Sequence, residues 1–213
     1  MPSRFKSVAG FVLAGGASQR MGRPKALLIL SGETMIERQV RVLGCVTRNA
    51  LVVGWPANLP RPAKLKKSPG VRCLPDAQPG QGPLGGIYTA LMHSHCEFNL
   101  FLGCDMPFVG PELLQFLCRR ALQSRADVTV PKSNQRKLEP LCAVYRRRVL
   151  PAVRAALKVR EYKITQFFPR VNCEVIPWRE IAAAGFHSEV FGSLNVAEDF
   201  ARAKKSLAAF SRQ

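Results

Sequence analysis

Short apolar runs alternate with amphipathic stretches along most of this chain, and this alternation constrains the fold more than any other feature. Strand-like runs occupy Val8–Leu13, Ala50–Val53, Val71–Leu74, 98–102, 127–130, 141–145 and 171–176. Helix-like stretches occupy 34–43, two segments that begin at Pro83 and Pro111, 149–157 and 196–210. Because strands that alternate with helices usually join one sheet covered by those helices, the sequence predicts an α/β layered fold with a mainly parallel sheet.

The chain has 213 residues, the length of one ordinary domain that can bury a proper core. It shows no internal repeat and no second domain, so we expect a single domain over residues 1–213. No apolar run reaches the roughly 18 residues that a membrane-spanning helix needs, which argues against an integral membrane protein.

Positive charge is the abnormal property of the composition. Lys and Arg number 32 against 14 Asp and Glu, which gives a formal net charge of +18. Such a surplus attracts polyanions, and phosphorylated small molecules, nucleic acids and acidic membranes all fit it. Basic runs such as 146–148 keep a nucleic-acid-binding protein open as an alternative. No recognition-helix, zinc-finger or RNA-binding pattern accompanies them, so we expect no specific nucleic acid.

The cysteines and the N-terminal segment bear on the compartment. The seven cysteines are widely spaced and include no C-x-x-C pair, which argues against a disulfide framework or a zinc site. Arg4 and Lys6 precede an apolar run, as in a short signal peptide, but Gly15 and Gly16 break that run. We therefore expect a cytoplasmic protein.

A glycine-rich loop follows the first strand and has the composition of a phosphate site. It reads L-A-G-G-A-S-Q-R-M-G-R-P-K over residues 13–25, and no acidic residue occurs among the first 28. Gly15, Gly16 and Gly22 permit positive φ and let the backbone approach a ligand, while successive N–H groups can bind an anion. Arg20 can grip two phosphate oxygens and Lys25 adds a point charge. The loop matches neither G-x-G-x-x-G nor the P-loop, and a plain glycine turn with solvated cations is the alternative.

Two carboxylates stand just beyond strand-like runs. Asp105 ends the apolar stretch F-N-L-F-L-G-C-D, where one carboxylate plus phosphates and waters would suit magnesium. The alternative is that Asp105 caps the turn before Pro107. Asp76 lies in the glycine-rich stretch P-D-A-Q-P-G-Q-G-P-L-G-G, where it either contacts a ligand or forms the turn itself.

The pattern L-A-G-G-x-S-x-R-M-G-x-x-K resembles the signature of the molybdenum cofactor nucleotidyltransferases. Its leucine and paired glycines are closer to the guanylyltransferase branch, which is MobA-like, than to the cytidylyltransferase branch. The segments D-M-P at 105–107, P-L-G-G at 83–86 and E-P-L-C-A-V-Y at 139–145 resemble the same family. The resemblance implies a Rossmann-like three-layer α/β/α sandwich of the nucleotide-diphospho-sugar transferase type.

The resemblance also implies roles for individual residues. Leu13, Ala14 and Gly15 would face the guanine nucleotide, and Gly16, Arg20 and Lys25 would lie along its phosphates. Asp76 would help to bind the nucleotide, and Asp105 would bind Mg²⁺. The remaining two candidates concern a second substrate and are Glu139 and Asn195.

The two candidates for the second substrate lie in separate segments of the chain. Glu139 would orient the second substrate or pair with nearby Arg136 and Lys137. Asn195 matches the second asparagine of a late family segment that lies toward the pterin, whereas Ser193 replaces the first.

The implied reaction transfers GMP from GTP to molybdopterin, forming molybdopterin guanine dinucleotide and pyrophosphate. Asp105, Lys25 and Arg20 would carry catalysis, chiefly by positioning and charge neutralisation, because two anions must meet. Molybdoenzymes or cofactor-insertion proteins are expected as further partners. A cytidylyltransferase of the same cofactor and a sugar-phosphate nucleotidyltransferase are the enzymatic alternatives.

Overall fold

A computed structural model of the chain describes residues 4–15, 24–56, 59–62, 64–65, 71–194 and 199. Seven of its strands form one sheet, in the spatial order β5-β4-β1-β6-β8-β7-β9, and β2 and β3 form a separate hairpin. The strands are β1 (Val8–Leu13), β2 (Ile29–Leu30), β3 (Glu33–Thr34), β4 (Ala50–Val53), β5 (Val71–Leu74), β6 (Phe98–Gly103), β7 (Val128–Pro131), β8 (Cys142–Arg146) and β9 (Cys173–Ile176).

Only β8 runs against the other strands of the seven-stranded sheet. Strands β5, β4, β1 and β6 pair in parallel, β8 is antiparallel to both β6 and β7, and β9 is parallel to β7. The predicted α/β fold with a mainly parallel sheet is therefore confirmed. This topology brings the carboxyl ends of β1, β4, β5 and β6 to one edge, where ligands of such sheets bind.

Five helices connect the strands of the described part of the chain. They are α1 (Met35–Gly44), α2 (Gly82–His93), α3 (Pro111–Gln123), α4 (Leu150–Lys158) and α5 (Trp178–Ala183). The capping box predicted at the start of α1 is present: the Thr34 hydroxyl accepts from the Glu37 amide at 3.4 Å, and the Glu37 carboxylate accepts from the Thr34 amide at 3.0 Å. It satisfies amide donors that the first helical turn leaves unpaired.

The helices cover both faces of the sheet. On one face α1, α3 and α5 pack with alternate strand residues, among them Val12 and Leu100, in one buried cluster. On the other face α2 and α4 pack on Phe11, Phe101 and Tyr145. The Phe11 and Phe101 rings stack with centroids 5.4 Å apart, and Tyr145 meets Phe101 edge-on at 5.2 Å. The three layers predicted by the resemblance are therefore present.

Some predicted elements differ from the observed ones. Strand β9 begins at Cys173 rather than at 171, because the Asn172 carbonyl turns to accept from the Asp127 and Val128 amides. The β2–β3 hairpin was not predicted; its two-residue turn requires positive φ at both Ser31 and Gly32. Helix α5 was also missed. The helix predicted at 196–210 lies outside the described residues apart from Asp199, which is helical.

Candidate active site

Backbone hydrogen bonds continue past the strand ends and hold four loops together at the carboxyl edge. The Ala14 amide donates to the Val53 carbonyl at 2.9 Å, the Gly54 amide to the Leu74 carbonyl at 3.0 Å, and the Cys104 amide to the Leu13 carbonyl at 3.2 Å. The loops after β1, β4, β5 and β6 are thus fixed relative to one another before any side chain contributes.

A cavity of about 320 Å³ lies at this edge, and glycines form most of its wall. We call it the glycine cavity. Its lining comprises Leu13, Gly15, Val53, Gly54, Asp76, Gly80, Gly82, Pro83 and Gly86. The structure thus brings together Leu13, Gly15 and Asp76, which lie on two separate loops. Ala14 does not line the cavity: its side chain is buried in the cluster with α1, and its amide is bonded to Val53.

Gly54 carries the closest backbone approach in the glycine cavity. Its φ is +76°, and a Cβ there would lie 3.1 Å from both N and Cα of Gly15. The Gly15 backbone lies outside the positive-φ region, and a Cβ on it would make only ordinary contacts. Gly15 therefore does not use the positive φ that the sequence permits, and the conformational requirement for glycine falls on Gly54. A glycine directly after the strand run at 50–53 was the available signal.

Asp76 has a structural role as well as a place in the cavity wall. Its Oδ1 accepts from the Gln78 amide at 2.9 Å and from the Thr89 hydroxyl at 3.0 Å. The buried Thr89 hydroxyl, on α2, also accepts from the Ala77 amide at 3.0 Å. The turn-forming role that the sequence left open is thus present, with Thr89 as a partner that the sequence did not reveal.

Lys25 and Asp105 are 80 residues apart in the chain and meet at the carboxyl edge. The Lys25 Nζ lies 3.4 Å from the Asp105 Oδ2, and the two side chains are 21% and 24% exposed. Lys25 opens a short 3-10 helix whose next residue, Ala26, is buried, which fixes the point from which the lysine extends. A Cβ at Gly103 would lie 3.0 Å from Asp105 Oδ1, so glycine there gives the carboxylate its room.

Glu139 lies close enough to Asp105 for the two carboxylates to interact. Burial is the main cause that raises the pKa of Glu139, and the charge of Asp105 raises it further, whereas a hydrogen bond from Ser133 and the charge of Lys137 act in the opposite direction. Among these described residues, no ion pair joins Glu139 to Arg136 or Lys137. The alternative of a simple surface ion pair for Glu139 is therefore not what the structure contains.

Another cavity, of about 420 Å³, is lined by both Asp105 and Glu139, and we call it the second cavity. Pro83 lines both cavities, so the two adjoin. Most of the walls of the second cavity are apolar, and the polar groups besides the two carboxylates come from Tyr162, Lys163, Thr165 and Ser193. A further space of about 540 Å³ opens beside Glu139 and Ser193.

The carboxylate of Asp105, on the wall of a cavity, suits a magnesium ion. Magnesium usually takes one or two protein carboxylates and fills its remaining positions with phosphate and water oxygens. Asp105 supplies one such carboxylate, Glu139 lies on the wall of the same cavity, and the described residues contain no group of three or more His, Cys, Asp or Glu that could enclose a metal alone. The residues present therefore fit an ion shared with a phosphorylated ligand. Gly16, Arg20 and Asn195 lie outside the described residues.

The basic run at 146–148 has structural partners. Arg146 pairs with Glu97 and also donates to the carbonyls of Ala126 and Ser124 at 2.9 Å, and Arg148 pairs with Asp127. These contacts join the end of β8 to the start of β7. Most of this run therefore serves the fold, which weakens its value as a signal for nucleic-acid binding.

The fold and the site together define a class. A mainly parallel α/β sheet, a glycine cavity at its carboxyl edge and an adjoining Lys–Asp pair are the features of a nucleotide-binding α/β protein. Within the described residues, no helix combines the length and the apolar character that crossing a membrane requires.

Comparison with known proteins gives the family. The MobA-like NTP transferase domain matches residues 10–171. A protein named probable molybdenum cofactor guanylyltransferase from Pelotomaculum thermopropionicum is 33% identical over 195 residues, 92% of this chain and 91% of its own. One of the same name from Flavobacterium johnsoniae is 31% identical, covering 86% and 90%. The chain therefore belongs to the MobA-like NTP transferase family and is a nucleotidyltransferase.

A solved structure agrees with this assignment. Molybdopterin-guanine dinucleotide biosynthesis protein A from Archaeoglobus fulgidus aligns with a TM-score of 0.80 at 25% identity, over 94% of this chain and 99% of that one. The predicted nucleotide-diphospho-sugar transferase-like fold is confirmed by such neighbours.

Proposed function

We propose that this chain transfers GMP from GTP to molybdopterin, giving molybdopterin guanine dinucleotide and pyrophosphate. The observation that carries the proposal is the position of the Lys25–Asp105 pair beside two adjoining cavities, one lined by glycine backbone and one lined by two carboxylates. An enzyme that joins two phosphorylated molecules needs two such sites with a charged centre between them. The names of the relatives support guanine as the base and molybdopterin as the acceptor.

The nucleotide occupies the glycine cavity in this proposal. Leu13 and Gly15 border the base and ribose, and the Ala14 position contributes through the loop backbone rather than its buried side chain. Asp76 keeps its loop closed through Oδ1 and contacts the nucleotide with its other oxygen. Lys25 binds the phosphates, as do Gly16 and Arg20, which the resemblance alone assigns. Glycine walls suit a nucleotide because bare backbone lets a flat base approach closely.

The chemical step is a displacement at phosphorus. An oxygen of the terminal phosphate of molybdopterin forms a bond to the α-phosphorus of GTP, and the bond from that phosphorus to the bridging oxygen breaks. Pyrophosphate leaves with the electron pair. The attacking phosphate is already an anion at neutral pH, so positioning and charge neutralisation are the main tasks of the protein. The Lys25 ammonium serves the second task by stabilising the charge on the departing pyrophosphate.

We assign Mg²⁺ to Asp105. When bound, the ion supplies charge neutralisation on phosphate oxygens. Asp105 is suited to hold it because Gly103 leaves the carboxylate room and the side chain, which is 24% exposed, lines the second cavity. We further propose that Glu139 and Asn195 border the molybdopterin site.

Three broader expectations accompany this function. The matched family spans residues 10–171, which supports one catalytic domain over 1–213. A cytoplasmic location suits a chain whose seven cysteines are all free thiols. Molybdoenzymes or cofactor-insertion proteins are the proposed recipients of the product.

The decisive experiment offers the purified chain each of the four nucleoside triphosphates with Mg²⁺ and molybdenum-loaded molybdopterin, and identifies the products by mass spectrometry. The guanine dinucleotide should form at least about 10-fold faster than the cytosine dinucleotide. Formation of the cytosine product at the higher rate would assign the chain to the cytidylyl branch. Formation of neither would refute dinucleotide synthesis.

A further inference from the structure

The turn that follows α4 forms one wall of the second cavity, and its anchoring determines which side chains it presents. The Glu161 amide donates to the Ala156 carbonyl at 2.9 Å, and the Arg160 amide to the Leu157 carbonyl at 3.1 Å. Together with a φ of +59° at Arg160, these bonds form a Schellman motif that ends the helix. Leu157 and Glu161 are therefore held in a fixed relation.

Both sides of this turn are fastened to the rest of the protein. Glu161 forms an ion pair with Arg170 at 2.7 Å, and Ile164 is 5% exposed within the buried cluster that α2 and α4 share. Tyr162 and Lys163 lie between these anchors and both line the second cavity. The turn thus presents one aromatic ring and one ammonium group from a rigid support.

The same turn borders the glycine cavity. The Tyr162 carbonyl lies 4.0 Å from the place where a Cβ of Gly82 would stand, and Gly82 and Pro83 belong to the wall of the glycine cavity. A molecule in the second cavity would therefore contact Tyr162 and Lys163 on one side while facing the nucleotide on the other.

The charge of Lys163 indicates what the second cavity could bind. Glu139 adds a second carboxylate to the cavity that Asp105 lines, and a phosphate that enters the cavity meets its repulsion. Lys25 already lies beside Asp105. Among the described residues that line the cavity, Lys163 is the cation, and it forms no ion pair with a described carboxylate. An ammonium group in this position offsets the repulsion felt by an incoming phosphate monoester.

We propose that Lys163 binds the attacking phosphate of the second substrate and that Tyr162 packs against its ring system. This inference rests on the proposed function, since it assigns the acceptor side of the same reaction. Tyr162 is 37% exposed and borders the second cavity. Exposed aromatic side chains bind heterocycles by stacking, and molybdopterin carries a pterin in addition to its phosphate.

The first test separates the two substrates in steady-state kinetics of dinucleotide formation by the full chain. Lys163→Met keeps the length of the side chain and removes its charge, so the KM for molybdopterin should rise about 10-fold to 100-fold while the KM for GTP stays within twofold. Lys163→Arg should recover most of the loss. Lys158→Met is the matched control, because Lys158 is an exposed lysine at the end of α4 that lines none of these cavities.

The second test concerns the ring. Tyr162→Ala should raise the KM for molybdopterin about 10-fold, whereas Tyr162→Phe should remain near wild type because it retains the stacking face. Calorimetric titration of each variant with GTP alone should match wild type, which also verifies that the variant is folded.

The outcomes distinguish this inference from the proposed function. If the wild-type chain forms no dinucleotide from GTP and molybdopterin, the function itself fails. If the wild type is active but Lys163→Met keeps its KM for molybdopterin, or raises the KM for GTP equally, the assignment of Lys163 to the acceptor is overturned. A selective rise that Lys163→Arg reverses supports it.

Discussion

The glycine cavity and the second cavity lie side by side, but backbone lines the first and side chains line the second. The wall of the glycine cavity is mainly backbone, because glycines from three loops line it. Hydrogen bonds between strand ends, such as the one from the Ala14 amide to the Val53 carbonyl, hold those loops together. Side chains make the second: Glu139, Tyr162 and Lys163 reach into it from a long loop and a helix-ending turn. Asp105 lines the second cavity and pairs with Lys25, and we call this pair the border.

This difference has a consequence for how each side tolerates change. Ligand binding in a cavity lined by backbone is weakened by any added side-chain atom but little affected by most changes of charge. Ligand binding in a cavity lined by side chains depends on which groups those side chains carry. The nucleotide side should therefore respond to steric substitutions at its glycines. The acceptor side should respond to charge and to aromatic surface. The border should respond chiefly in turnover, with some loss of affinity for GTP at Lys25, which binds its phosphates.

The largest effect is expected at the border. Asp105→Ala should reduce kcat for dinucleotide formation by at least about 10³-fold, because a metal ligand contributes several kcal/mol to the stabilisation of charge in the transition state. The melting temperature should change little, since Asp105 is partly exposed and its carboxylate pairs with one cation, Lys25, among the described residues. Asp105→Asn, which keeps the shape, should be nearly as inactive. Near-normal turnover of either variant in Mg²⁺ would remove Asp105 from the metal site.

Lys25 should give the next largest loss. Lys25→Met removes the charge while keeping the apolar stem, and we expect kcat/KM for GTP to fall about 10-fold to 100-fold. Part of the loss should appear in binding of GTP alone, measured by calorimetry. The Lys158→Met control should leave both quantities unchanged. Kinetics of Lys25→Met equal to wild type would place this lysine on the solvated surface.

The glycine side was largely predictable from the sequence because its chemistry is local. Strand β1 was predicted with its observed bounds, the loop after it carries a distinctive pattern, and Asp105 ends an apolar run that could only be a buried strand. Parallel pairing then brings such strand ends together without further information. What the sequence did not reveal was the approach of Gly54 to Gly15, which depends on the register between β1 and β4.

The acceptor side was less predictable because its contacts are not local. Tyr162 and Lys163 are typical residues of a solvated loop, and their place beside Asp105 follows only from the Schellman turn and the burial of Ile164. Glycine usually occupies the position that Arg160 holds in such a turn, so the residue that normally marks a Schellman turn in a sequence is missing here. Glu139 was predicted as a candidate residue. Its proximity to Asp105 was not predicted, because it depends on how β6 and β8 pair.

Gly54→Ala sharpens the comparison from the nucleotide side. A side chain at φ +76° with backbone atoms 3.1 Å from its Cβ should cost about 1–2 kcal/mol of stability, measured by urea unfolding. It should also raise the KM for GTP several-fold without affecting the KM for molybdopterin. Gly44→Ala is the control, because that glycine has ordinary φ and open space around it. Equal behaviour of the two variants would mean that the cavity is not shaped by Gly54.

Glu139→Gln gives the smallest expected effect and examines the acceptor side through pH. Burial raises the pKa of Glu139 above that of the unfolded chain, so the native state holds this proton more tightly. The contribution of Glu139 to stability therefore falls as pH rises from about 4.5 through the raised pKa, and a neutral glutamine avoids that loss. The variant should melt slightly above wild type at pH 7 and together with it at pH 4, with the KM for GTP unchanged. A variant that melts below wild type at pH 7 would show instead that the Glu139 carboxylate is held by partners that favour its charge, and the acceptor side would then be stabilised by that charge as the Lys25–Asp105 pair is.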